Sequence, residues 1–116
     1  MNNKDQIIGY GLSLPYVYLD YPFDSLTATL RHKGNKKIFA LIIRHNIKTL
    51  LNLKCEPVAG DFWRSEYESA IPAYHMNKKH WVSVIIGGDI PPDILRVMIN
   101  DSYRLTRPKS KIEKRA

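Results

Sequence analysis

With 116 residues, 44% of them hydrophobic and 25% charged, the composition is that of a single soluble domain able to bury roughly two-thirds of its unfolded surface. The longest unbroken apolar run, Ile38 to Ile43, falls far short of the roughly 20 residues that span a bilayer. Met1 to Asp5 lack the features of a signal peptide, so neither a membrane nor a secreted protein is expected. A lone cysteine, Cys55, can form neither an internal disulfide nor a thiolate metal site, and the expected home is a reducing cytoplasm.

In chain order, Lys4 to Leu12 reads as a helix capped by Asn3, with Ile7, Ile8 and Leu12 on one side and Gly9 and Gly11 as weak points. Tyr16 to Asp24, rich in tyrosine and broken by Pro22, reads as a loop. Leu26, Ala28 and Leu30 alternate with Thr27, Thr29 and Arg31, the mark of a half-buried strand. In the turn His32 to Lys36, Gly34 and Asn35 are the residues that tolerate positive φ. The run Ile38 to Ile43 is too continuous for a one-sided strand and is expected to be covered on both faces. A turn at Arg44-His45-Asn46 leads into a strand over Lys48 to Lys54, completing an antiparallel meander.

Pro57 opens a second helix at a position where its missing N–H costs nothing. Phe62, Trp63 and Tyr67 are its expected packing face. Ile71-Pro72 ends it. The stretch Tyr74-His75-Met76-Asn77-Lys78-Lys79-His80-Trp81 then forms a polar turn entering a strand that Gly87-Gly88 stops. Pro91-Pro92 starts a third helix, with Ile94, Val97 and Met98 facing inward. The order α-β-β-β-α-β-(β)-α predicts an α+β two-layer sandwich, an antiparallel sheet with helices on one face. Residues 1–107 form the domain, and 108–116 read as a basic, disordered tail.

The residues also carry a resemblance. Asn35-Lys36-Lys37-Ile38-Phe39-Ala40, Leu53-Lys54-Cys55-Glu56-Pro57 and Pro72-Ala73-Tyr74-His75-Met76-Asn77-Lys78-Lys79-His80-Trp81 are similar to signatures of the MmcQ/YjbR family. Leu12-Ser13-Leu14-Pro15 and Asp101-Ser102-Tyr103 fit at the two ends, so the likeness runs from about Asp5 to Leu105. It implies a fold like frataxin and secretion chaperones, a DNA-binding label, and neither a catalytic activity nor a cofactor.

The formal charge of +7 is sorted by segment. Arg104 to Ala116 holds six bases and one acid. Ser25 to Cys55 holds Arg31, Lys33, Lys36, Lys37, Arg44, Lys48 and Lys54 and no acid, and Ser69 to Gly88 is acid-free with Lys78 and Lys79. Met1–Asp24, Glu56–Glu68 and Asp89–Tyr103 are net negative at −2, −3 and −2. Strand parity sends Thr27, Thr29, Arg31, Lys48, Asn52 and Lys54 to the face away from the helices, and the turns add Lys33, Lys36, Lys37, Lys78 and Lys79. The expectation is a basic sheet face opposite an acidic helical layer, a field that steers a polyanion. The expected nucleic-acid contacts are therefore Arg31, Lys33, Lys36, Lys37, Lys48, Lys54, Lys78 and Lys79.

His75, Asn77, His80 and Trp81 are expected to be structural, Asn77 closing the turn and Trp81 filling a gap beside Tyr74 and the last helix. His75 and His80 lack a third ligand near in sequence, so no metal site is expected. Cys55 reads as packing. No Gly-rich phosphate loop, paired carboxylates or triad is present, so an enzyme is not expected. Two function classes stay open. One is a sequence-tolerant DNA binder without a recognition helix. The other is a protein-interaction module or homodimer using the same sheet or an exposed edge strand, for which outward-facing Leu50 and a central strand apolar on both parities are the motives.

Overall fold

The computed structural model describes residues 1–109; of the expected tail, residues 110–116 lie outside them. The elements are α1 (Lys4–Leu12), β1 (Val17–Asp20), β2 (Ala28–His32), β3 (Ile38–His45), β4 (Lys48–Lys54), α2 (Pro57–Glu66), β5 (Ala70–Pro72), β6 (Trp81–Ile85) and α3 (Pro92–Thr106). The strands form one antiparallel sheet in the order β1-β2-β3-β4-β6-β5. Helix α1 lies on β1 and β2, α3 on β3 and β4, and α2 on β5 and β6. This is the expected α+β architecture, with one strand more at the start and with β5 at Ala70–Pro72, where the second helix was expected to run on; α2 stops at Glu66. Strand β1 falls where the sequence reads as a loop, because pairing with β2 (Leu19 opposite Leu30) organises four residues of weak intrinsic pattern.

Apolar residues at alternate positions build the core between sheet and helices. Ala28 and Leu30, Ala40 and Ile42, Leu51 and Leu53, and Val82 and Val84 meet Ile7, Leu95, Met98 and Ile99. The helices are rotated from their expected phases. On α3, Leu95, Met98, Ile99, Ser102 and Thr106 are buried and Val97 is exposed; Ser102 and Thr106 extend the stripe, which the apolar pattern alone places one residue off. On α2, Trp63 and Tyr67 pack on the core while Phe62 faces water. On α1, Leu12 is exposed and Gly11 is buried. Gly11 is there for close approach, since a Cβ would stand 2.3 Å from Leu30 Cδ1.

Two polar devices fix the sheet. Leu30 lies opposite Ala40 but Arg31 opposite Ile38, so Phe39 is the extra residue of a bulge. Its ring turns to the helix side against His32 and Tyr103, with centroids 5.2 and 5.4 Å away. The hydroxyl of Ser102 donates to the Phe39 carbonyl and accepts the Lys54 N–H at 2.9 Å, tying α3 to the bulge. On the other face, Ala73 to His80 folds back across β4 and β6. The amide of Asn52 donates to the Tyr74 carbonyl at 2.8 Å, the Ser83 hydroxyl accepts the Tyr74 N–H at 2.9 Å, and that hydroxyl donates to the Asn52 Oδ1. The Tyr74 ring reaches the His45 ring at 4.3 Å. The face expected to lie open to solvent is therefore covered over its middle. Leu50 is only 2% exposed within the single chain.

Candidate functional site

Strand direction decides where the charges go. Val17 lies opposite His32, Leu53 opposite Ala40, and Lys54 opposite Trp81. The start of β1, the end of β2, the start of β3, the end of β4 and the start of β6 thus share one end of the sheet. The β2–β3 turn there presents Lys33, Lys36 and Lys37, all exposed. Lys54 closes β4, and Lys78 and Lys79 sit in the turn just before Trp81. The His80 carbonyl in that turn accepts the Cys55 N–H at 2.9 Å, which places the turn beside the end of β4.

Helix α3 ends here too. The Asn35 amide donates to the Thr106 carbonyl at 2.9 Å, and His32 Nε2 meets the Thr106 hydroxyl at 2.8 Å. Arg104, Arg107 and Lys109 thereby join the same end. Sequence reasoning assigned these three to a tail or a helix terminus. The signal that finds them is the alternation of direction in the meander, which sends the β2–β3 turn and the C-terminus of α3 to one pole.

The polarity thus runs along the strands, where a polarity between layers was expected. Among the described residues, and apart from the Arg31–Asp20 pair, nine cations meet Glu56 and Asp101 at this end; Asp101 holds Arg104 at 3.8 Å. Among the described residues no carboxylate pairs with Lys33, Lys36, Lys37, Lys78 or Lys79. The opposite end collects Asp5, Asp24, Glu68, Asp89 and Asp93 beside Lys4, Arg44 and Lys48. Two of these acids hold loops: Asp24 accepts the Leu26 and Thr27 N–H groups, and Asp89 those of Glu68 and Ser69. The Leu26 and Thr27 N–H groups hold the Asp24 carboxyl below the usual carboxylate range, and the Ser69 hydroxyl, ahead of the Ser69 and Glu68 N–H groups, does the same for Asp89.

Two of the expected contacts leave the set. Arg31 is a structural cation: it pairs with Asp20 at 3.1 Å, donates to the Lys36 carbonyl at 2.8 Å and lies over the Tyr18 ring. Lys48 shares the outward face with Lys54 but lies six residues away on the same strand, about 20 Å at the usual rise, at the opposite end. Lys33, Lys36, Lys37, Lys54, Lys78 and Lys79 are brought together.

The residues read as structural divide as follows. Asn77 closes its turn, its side-chain oxygen accepting the Lys79 and His80 N–H groups. His75 is left-handed at φ 59° and exposed, its ring against Tyr74 at 4.0 Å. His80 is exposed as well. Trp81, expected to be buried, is half-exposed on the outer face with Lys54 Nζ 6.0 Å above its ring. In the β2–β3 turn the left-handed residue is Lys36 at φ 62°, where Gly34 or Asn35 was expected. Cys55 packs against Gly60, and burial pushes its thiol up despite the nearby Arg64 guanidinium. Among the described residues no three His, Cys, Asp or Glu side chains could jointly hold a metal ion, and no helix is long and apolar enough to cross a membrane.

His32 links this end to stability. It is 2% exposed, and burial drives its pKa below the usual 6.5, the Tyr103 carbonyl opposing and the Arg107 and Lys37 charges adding to the fall. The unfolded chain thus binds a proton more readily than the fold, so stability is full above about pH 6.5 and falls as pH drops through the folded-state value. Urea midpoints should decline between pH 7.5 and 5.5, and His32→Gln should flatten most of that slope. An equal decline in the variant would place the titration elsewhere.

The fold defines a class: small α+β proteins with three helices on one face of a six-stranded antiparallel sheet. The YjbR family model matches residues 12–105, and the chain belongs to the YjbR family. It is 40% identical over 94 residues to the uncharacterized protein YbdF of Escherichia coli O157:H7, covering 81% of this chain and 75% of that protein. It is 35% identical over 108 residues to the uncharacterized protein YyaQ of Bacillus subtilis (strain 168), covering 84% and 88%. The crystal structure of Deinococcus radiodurans protein DR2400, a DUF419 domain, superposes with a TM-score of 0.84 at 29% identity, covering 99% of this chain and 87% of that one. A Pseudomonas syringae crystal structure gives 0.81 at 30% identity, covering 90% and 99%.

Proposed function

We propose that this protein is a DNA-binding module without chemistry of its own, holding the phosphate backbone, with no sequence preference, at the basic end of its sheet. The observation that carries the reading is the gathering of Lys33, Lys36, Lys37, Lys54, Lys78 and Lys79 at one end, none of them with a carboxylate partner among the described residues. Collecting like charges costs self-repulsion, and the fold does not need these side chains: they are exposed or half-exposed and support no core contact. Complementing the α3 dipole accounts for Arg104 and Arg107 but not for the turn lysines. The homodimer alternative loses Leu50 as a motive, because that side chain is covered within one chain.

The test is a binding titration with labelled duplex and single-stranded DNA over a salt series, on the full chain and on residues 1–109. Affinity is expected to fall linearly in log–log form, with a slope of about −0.9 per phosphate neutralised on duplex or −0.7 on single strands. Failure to bind either form at low salt overturns the proposal. Binding that vanishes when residues 110–116 are removed also overturns it, since the sheet end would then contribute nothing.

A further inference from the structure

Beside the turn lysines the structure holds a cavity of about 300 Å³, lined by Pro15, Tyr16, His32, Lys33, Gly34, Tyr103 and Pro108. Its lining is mostly rings. Tyr103 is locked in place: its hydroxyl donates to the Pro15 carbonyl at 2.7 Å and its ring packs on His32 at 4.7 Å. Gly34 lets Pro108 close the wall, since a Cβ there would stand 2.7 Å from the proline Cγ. Tyr16 is 80% exposed yet held in the left-handed region at φ 57°, its carbonyl accepting the Lys33 N–H at 2.8 Å. A bulky residue in that conformation is strained, and such strain persists only where the surroundings enforce it. Folding alone gives no reason to spend strain on presenting an aromatic ring to water.

We infer that this cavity receives one unpaired nucleobase, with the flanking phosphates on Lys33, Lys36, Lys37 and Lys109. The inference rests on the DNA-binding reading above and narrows it to single strands. Charge and shape both argue for this occupant. The cavity is ring-lined, its rim is cationic, and among the described residues no carboxylate lines it. A flat π-system between phosphates fits that combination, and base–aromatic stacking tolerates any sequence. A base inside a duplex could not reach the cavity without being extruded from its stack.

The experiment compares three labelled DNAs on the full chain at one low salt concentration: a single strand, the same strand with abasic sites throughout, and the duplex. The intact strand is expected to bind roughly tenfold more tightly than the abasic one. Tyr16→Asn, a residue at ease in the left-handed region, should erase that preference and leave abasic binding unchanged. Side-chain ring signals of Tyr16, His32 and Tyr103 in the unmodified chain should shift with the intact strand and not with the abasic one, a readout that needs no variant, whereas the amides of the lysine turn should answer to both. Equal binding of all three DNAs with a steep salt dependence overturns the cavity and leaves the basic end standing. A base preference that survives Tyr16→Asn, or ring shifts that miss these residues, also overturns the cavity. Binding of none overturns both readings.

Discussion

Replacing Lys33, Lys36 and Lys37 together by glutamine should weaken DNA binding at about 0.1 M salt by two to three orders of magnitude, while Lys48→Gln should change it less than about twofold. The size follows from counterion release. Each phosphate contact adds about 0.9 to the salt exponent, so at 0.1 M it is worth roughly eightfold relative to 1 M, and three such contacts multiply. The slope itself should fall by about 2.7 on duplex, or about 2.1 on single strands. All four lysines are exposed, and neither variant should move stability by more than about 0.5 kcal/mol, so a lost fold cannot imitate lost binding. Lys48 is the informative control because it belongs to the same face by strand parity and to the opposite end by position. Equal losses from both variants would restore the basic face and dissolve the basic end.

That contrast marks how far the sequence could be read. Elements whose signals are local came through: the Asn3 cap accepting the Gln6 N–H at 2.9 Å, the prolines opening α2 and α3, and the run Ile38 to Ile43 inside the sheet. Strand β1 did not, because only Val17 and Leu19 mark it and its order comes from β2. The stripe of α3 was read one residue off because Ser102 and Thr106 are buried for their hydrogen bonds, which a hydrophobic period cannot register. Charge was legible as segments but not as geography. Parity fixes which face a strand residue takes, whereas its position along the strand decides which end it serves, and Lys48 and Lys54 share one face at two poles. The interior polar residues were the overlooked sign: Asn52 among leucines and Ser83 between valines announce something polar folded onto that face.

Asn52→Ala should cost about 3 kcal/mol, roughly a fifth to three-fifths of the stability of an ordinary small domain. Asn52 and Ser83 are both 0% exposed, and with the backbone of Tyr74 they form a closed set of donors and acceptors. Removing the Asn52 amide strands the Tyr74 carbonyl and leaves the Ser83 hydroxyl without its acceptor. Each loss is worth roughly 1–3 kcal/mol once water is excluded, and the vacated space adds a cavity term. Ser83→Ala removes the acceptor of the Tyr74 N–H and the donor to Asn52 from the other side. The double variant should cost clearly less than the two single losses added together, since each substitution has already broken the bond they share. Urea midpoints for the four proteins supply the cycle. Additive losses, or a single loss below about 1 kcal/mol, would mean that Ala73 to His80 is held by something else. The consequence reaches the basic end through geometry: this strap carries Lys78 and Lys79 into β6, so its release should speed hydrogen exchange from Tyr74 to His80 and loosen DNA while the turn lysines stay in place. A strap anchored by buried hydrogen bonds positions its charges rigidly, whereas lysines on a free loop must be ordered anew at every encounter.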